Sequence, residues 1–327
     1  MALAVERLGD SLDFLPDGET GERRNWIISM LEAFRDHPVL EVAKDGDWSD
    51  YDKTPRFRVK QGERLYGADL DLGILQAARQ ALPAYRQIQA RLAGNPAQHR
   101  LGFQVGIPGD IDLAMFTFGP IGPLRRRRPF TEALAATMQQ TFRLVGDDVL
   151  FQIEIPVELV LLARAPRPAR AGLARLLARD VAALALAAPA GARFGLHLCL
   201  GDMNHRALGR LTDAEPLTQL SDALVARWPS SRPLQYVHVP LAAADDPPVD
   251  DPAFYQPLHG LNLGGARLIA GIAHEDQDLD IQRRIRRHIE TAVGHRVDIS
   301  TSCGLGRRDR RTAVAAMDRI RALLDDD

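Results

Sequence analysis

Cysteine is nearly absent: two in 327 residues. That excludes a disulfide-stapled fold and points to a reducing compartment, the cytoplasm. No apolar run is long enough to span a bilayer, so no membrane partner is expected. The opening "MALAVERLGDSLDFLP" lacks a basic segment followed by an apolar one, so no signal peptide is read there. An excess of either charge is also missing, with 41 basic against 43 acidic residues. Nothing in that balance favours nucleic acid or an anionic membrane surface. No low-complexity linker and no repeat interrupts the chain, which is read as a single domain over residues 1–327.

What the chain has is apolar material, 46% of residues, enough for a large core. It is arranged as short β-prone runs separated by helical patterns. The runs are "LDFLP" (12–16), "GFQVGIPG" (102–109), "DVLFQIEIP" (148–156), "ARFGLHLCLG" (192–201), "LQYVHVP" (234–240), "ARLIAGIAH" (266–274) and "RVDISTSC" (296–303). Segments such as "RAGLARLLARDVAALALAA" carry apolar residues at three- and four-residue spacing, as helices do. Strands alternating with helices predict an α/β fold with a parallel sheet. Seven strands with covering helices in this length predict a (β/α)8 TIM barrel without a recognisable first strand, since "LAVERLGD" reads as helix. An open doubly wound sheet is the alternative; no Gly-x-Gly-x-x-Gly follows the first strand, which weakens its dinucleotide-binding version.

Each apolar run ends in polar groups, where an α/β barrel places its chemistry. Asp17 and Glu19 follow the first run, and Asp110 and Asp112 the second. Glu154 ends the third, with Glu158 beyond it. His197, Cys199 and Asp202 end the fourth, His238 the fifth, His274 and Glu275 the sixth, and Cys303 the seventh. His197 and Cys199, two apart on a strand, point to one face. Thiolate with imidazole suits zinc. The spacing alone favours the plainer alternative, two buried cysteines acting as small apolar residues.

The motifs together resemble the catalytic domain of cobalamin-independent methionine synthase. "GLHLCLG" and "TSCGLGRR" resemble that family's zinc-binding strand ends, "LFQIEIPVE" its Gln-Ile-Asp-Glu-Pro strand, "LPDGETGERRNWI" its His-Gly-Glu segment, and "LIAGIAHED" a further strand, all in the family's order. The resemblance implies a barrel that holds Zn2+ and transfers a methyl or alkyl group to a zinc-activated thiol. It implies His197, Cys199 and Cys303 as metal ligands, with His238 standing where the family has an acidic ligand. Glu19, Glu154 and Asp17 are implied as catalytic residues, with Glu19, Glu154 and His274 binding substrate. The small-molecule partners implied are a thiol and an alkyl or methyl donor; self-association as a homodimer stays open.

The chain departs from the family's pattern in ways that bear on substrate. Asp17 replaces a histidine, Glu154 an aspartate and Ile155 a glutamate, which puts homocysteine in doubt. The folate-binding half is missing, which puts a folate donor in doubt. A related zinc barrel using an epoxide or a corrinoid methyl donor, a uroporphyrinogen-decarboxylase-type enzyme and a non-catalytic metal binder are the competing readings. The two arginine runs, "PLRRRRPF" and "GRRDRR", read either as ion-paired surface or as anion capture.

Overall fold

The computed structural model of the protein describes residues 1–18, 21–93 and 101–325. In chain order the elements are α1 (Ala2–Leu8), β1 (Phe14–Pro16), α2 (Trp26–Glu32), β2 (Leu40–Lys44), β3 (Arg56–Val59) and α3 (Ile74–Leu92). Then come β4 (Gly102–Pro108), α4 (Asp110–Phe118), α5 (Gly122–Arg126), α6 (Arg128–Val145), β5 (Val149–Glu154), α7 (Pro156–Arg164) and α8 (Arg167–Leu186). The chain closes with β6 (Arg193–His197), α9 (Glu215–Arg227), β7 (Leu234–Pro240), α10 (Pro252–Tyr255), β8 (Arg267–Gly271), α11 (Leu279–Val293), β9 (Asp298–Ser300) and α12 (Arg310–Leu324).

Seven parallel strands form one sheet in the order β1-β4-β5-β6-β7-β8-β9. Every expected run contains one of them. The sheet is a curled half-barrel rather than the expected closed eight-stranded one: β1 and β9 are its edges and do not pair with each other. The edges still approach at their starts, where Arg267 ion-pairs with both Asp13 and Asp298. The "LAVERLGD" segment is helical, as read, and α1 packs on α12, with Arg7 and Asp318 2.8 Å apart.

Alternation along the strands explains the curl. Phe103, Val105, Ile107, Phe151, Ile153, Phe194, Leu196, Val237 and Val239 are fully buried and form the helix-facing set. The opposite set, Gln104, Gln152, Gly195 and Tyr236, fills the inside of the curve. The Tyr236 hydroxyl donates toward Gln104 Oε1 at 3.1 Å and Gln152 Oε1 at 2.9 Å. Its ring also reaches Phe14, 6.0 Å between centroids, so one side chain spans the interior from β7 to β1. Gly195 makes room for it: a Cβ there would lie 2.1 Å from Tyr236 Cζ. One hydrophobic cluster runs from Leu8 to Leu323. No described helix is long and apolar enough to cross a membrane.

The strand alternation missed one feature. Between α2 and α3 lies an antiparallel hairpin, β2 with β3, whose connecting loop carries Trp48 and Tyr51 over the open end of the sheet. The signal was present as two short runs, "LEVAK" and "RFRV", around an Asp-rich loop with one glycine and one proline.

Gly195→Ala is expected to destabilise the protein by about 3 kcal/mol or more, because the added methyl overlaps a ring rather than a flexible chain end. Urea unfolding measures it. Tyr236→Leu in the same chain should recover part of the loss, and strict additivity of the two substitutions would contradict the packing described.

Candidate metal centre

Strand register builds the site. Pro108 pairs with Glu154, Glu154 with His197, and His197 with His238, so a single lateral row crosses four strands at their C-terminal ends. His197 follows Gly195 on the inward face, and Cys199 continues that face just past the strand. The backbone stays in ladder there, with Ile155 N donating to His197 O at 3.1 Å and Leu198 N to His238 O at 2.9 Å. Cys303 arrives from the far side, on the loop that follows β9.

Among the described residues, His197, Cys199 and Cys303 form the one group of three with ligand atoms within 4.8 Å of one another, and all three are buried. The two sulfurs are 3.6 Å apart. A disulfide would need about 2.05 Å. Two thiolates on one tetrahedral zinc, each about 2.3 Å from the metal, would sit about 3.8 Å apart. Both His197 ring nitrogens lack a hydrogen-bond partner although the ring is buried. A buried imidazole ordinarily has its nitrogens satisfied, so this ring has the free donor atom that a metal requires. The donor set of one imidazole and two sulfurs therefore fits zinc. Burial, followed by His238 and Arg307, holds His197 well below the ordinary histidine range, as a neutral ligand. The hydrogen bond from Cys199, together with burial, pushes the Cys303 thiol well up.

His238, expected among the ligands, lies outside this group. Its ring stacks on His197, with centroids 4.4 Å apart and planes 30° from parallel. Its Nε2 is 2.9 Å from the Thr301 carbonyl oxygen. A carbonyl only accepts, so Nε2 carries the proton and is committed. Burial brings His238 down to about 4. The Gly271 position matters to the same contact, since a Cβ there would be 2.9 Å from Ser302 Cα and 3.0 Å from His238 Nε2.

A cavity of about 60 Å³ opens above the sulfurs. Trp48, Tyr51 and Phe116 contribute aromatic walls, and Asp112, Glu154, Asp202 and Arg307 the charged groups. Glu154 is held by Gln152 Nε2 at 3.0 Å. Asp17 is ion-paired to Arg23 at 3.2 Å. Glu19 lies outside the described residues. His274 is buried away from the sulfurs, with Nε2 3.1 Å from Ala244 O and Nδ1 accepting from Asp276 N at 3.2 Å. Glu275 pairs with Arg308 at 2.5 Å. In the first arginine run Arg127 turns inward to Asp110 and Asp180, Arg128 pairs with Glu132, and Arg126 lies over the Phe118 ring. In the second, Arg307 Nε donates to Asp202 O at 2.9 Å and Asp309 caps α12 through Thr312 N.

Beneath the cavity, Asp112 and Glu158 form a buried carboxyl pair at the starts of α4 and α7. Asp112 Oδ1 accepts from Val157 N at 2.9 Å, while Asp112 Oδ2 and both Glu158 oxygens have no donor in reach. Burial drives both groups upward, and Asp112 adds to the rise of Glu158. One proton shared between them satisfies the pair, with Asp112 as the ionised member and Glu158 as the acid. Asp110 and the inward Arg127 are the nearest other charges.

Glu158 holds a proton in the folded chain that the unfolded chain releases above about pH 4.3, so stability falls as pH rises from there until Glu158 ionises. The slope is up to about 1.4 kcal/mol per pH unit. Glu158→Gln keeps a donor but removes the titration. Urea midpoints at several values between about pH 5 and pH 8 should decline less in this variant than in the wild type, while parallel curves would refute a shared proton.

Comparison with protein-family models gives no match, and comparison with curated proteins gives none. Solved structures do match. A B12-independent methionine synthase from Shewanella sp. W3-18-1, in complex with selenomethionine, superposes with a TM-score of 0.54 at 11% identity, over 98% of this chain and 84% of that one. A Listeria monocytogenes protein assigned as a vitamin-B12-independent methionine synthase superposes with a TM-score of 0.50 at 13% identity, over 99% of this chain and 85% of that one. Over nearly its whole length, then, this chain has the fold of the B12-independent methionine synthase structures.

Proposed function

We propose that the protein is a zinc-dependent enzyme that transfers a methyl or alkyl group to a small-molecule thiol. The observation that carries this reading is His197, buried with both ring nitrogens unpartnered, beside two cysteine sulfurs 3.6 Å apart at the floor of an accessible cavity. The likeness to B12-independent methionine synthase structures supports it.

His197, Cys199 and Cys303 would hold the metal, and both cysteines line the cavity. Bound there, zinc supplies the Lewis acidity that keeps a substrate thiol deprotonated near neutral pH. The chain's own work is positional. His238 fixes the Cys303 loop through Thr301, and its stacked ring holds His197 in plane. Glu154, beside His197 in the strand register, faces the polar end of the substrate. The apolar and aromatic walls exclude water from the reacting centre. A purely storage-type metal site would need no such cavity, which favours the enzymatic reading.

Metal analysis tests the proposal. Wild-type protein purified without chelator should hold about one zinc per chain, and Cys199→Ser or Cys303→Ser should lose most of it while remaining folded. Absence of zinc from the wild type would overturn the reading. A zinc K-edge spectrum should gain a sulfur ligand when the right thiol is added; if no thiol enters the metal shell, thiol activation fails.

A further inference from the structure

We propose that the cavity above the sulfurs is built for a methylated onium cation, a sulfonium or a quaternary ammonium, which serves as the methyl donor. This deepens the thiol-alkylation reading and rests on it for the chemistry, though not for the binding.

Two independent features point to a cation. The first is the aromatic wall. Trp48 and Tyr51 come from the hairpin loop and Phe116 from α4. The rings of Tyr51 and Phe116 are 6.4 Å apart and inclined by 38°, forming two sides of a corner. Trp48 is fixed by a hydrogen bond from its indole N–H to Glu32. Aromatic faces attract alkylated cations through their quadrupoles, and Trp does so best. The second is Asp202. Its side chain is fully enclosed, it lines the same cavity, and neither carboxylate oxygen accepts a hydrogen bond. Its one ionic contact among the described residues is a long one, His205 Nδ1 at 3.8 Å from Oδ1, and Asp202 holds the His205 pKa raised. A buried carboxylate with so distant a counter-charge is further stabilised by a cation entering the cavity.

The other charged groups of the lining are engaged: Asp112 accepts from Val157 N, Glu154 from Gln152 Nε2, and Arg307 Nε donates to the Asp202 carbonyl.

The group transfer balances. The lone pair of the acceptor thiolate forms the new S–CH3 bond as the CH3–S+ or CH3–N+ bond breaks. The released pair stays on the leaving heteroatom, which departs as a neutral thioether or tertiary amine. Nothing is oxidised or reduced, and the only proton is the one the thiol lost beforehand. Quenching the donor's charge empties the pocket of its attraction, which favours product release.

Calorimetry with trimethylsulfonium and tetramethylammonium salts tests the binding, with neopentyl alcohol as an uncharged probe of similar shape. The onium ions should bind at least tenfold more tightly than the alcohol, and Trp48→Leu and Asp202→Asn should each weaken them about tenfold. Trp48→Phe, which keeps an aromatic face, should stay within about threefold of the wild type. Equal binding of the alcohol, or onium binding indifferent to both Trp48→Leu and Asp202→Asn, overturns the proposal. Zinc is measured on the same preparations, so a protein that binds zinc but no onium defeats this inference alone, and one that binds onium but no zinc defeats the metal reading alone. Thiol methylation assays with a methylsulfonium and a betaine then decide which onium is the donor; no methyl transfer from either, by zinc-loaded protein that binds both, overturns the donor role.

Discussion

The hydrogen bond between His238 Nε2 and the Thr301 carbonyl is the contact on which the centre depends. Cys199 is placed by strand register, because it extends the inward face of β6. Cys303 is not; it sits on an irregular loop beyond a three-residue edge strand. His238 ties that loop to the middle of the sheet, two strands away, and Thr301 Oγ1 then donates to Cys303 O at 2.6 Å. Each bond contributes about 1 kcal/mol net. Their larger effect is geometric, since two thiols 3.6 Å apart gain little from each other and would separate without an external constraint. Gly271 belongs to this arrangement, because any side chain there would push the loop outward.

A sheet with free edges would be expected to hold its rim loosely. Here the interior is braced instead by Tyr236, which reaches strands β1, β4 and β5 from β7. The rim above it contains groups that are expensive to bury: the Asp112–Glu158 pair, and Asp202 and His197, whose polar side-chain atoms make no hydrogen bond. Each costs stability. Concentrating such groups at one end of the fold, while the helix-facing set of the strands is apolar, is how a scaffold carries a site.

Much of this was legible in the sequence, and the reasons are specific. The seven strands stood out because their helix-facing residues are β-branched or aromatic with hardly a polar interruption. His197, Cys199 and Cys303 stood out because a strand end is a position readable from local pattern. For His238 that reading gives the position but not the contacts. Pattern placed it correctly at the end of β7, but the partner of a ring nitrogen depends on a loop 63 residues away. The barrel count failed for a similar reason, as closure is a pairing between chain-distant edges. The β2–β3 hairpin escaped a reading built on strands alternating with helices because its two strands pair with each other and stand outside the sheet; only the start of β2 is buried, so its periodic signal is weak.

That hairpin is what turns an open sheet end into a cavity. The Tyr51 hydroxyl accepts from Met203 N at 3.0 Å and donates to Arg206 O at 3.1 Å. Asn204 Nδ2 donates to Trp48 O at 2.9 Å. These bonds grip the loop directly after Cys199, where Asn204 and His205 both adopt left-handed backbone, at φ 53° and 61°. Such a conformation costs roughly 1–2 kcal/mol per non-glycine residue, so the loop holds it only while gripped. Gly201 allows the grip, because a Cβ would come within 2.6 Å of the Tyr51 hydroxyl. The strained loop in turn sets His205 between Asp202 and Glu275. The aromatic wall, the strained loop and the enclosed carboxylate are therefore one mechanical unit. Loosening the hairpin would release all three, whereas the sulfur pair below, held by β6 and His238, would keep its place.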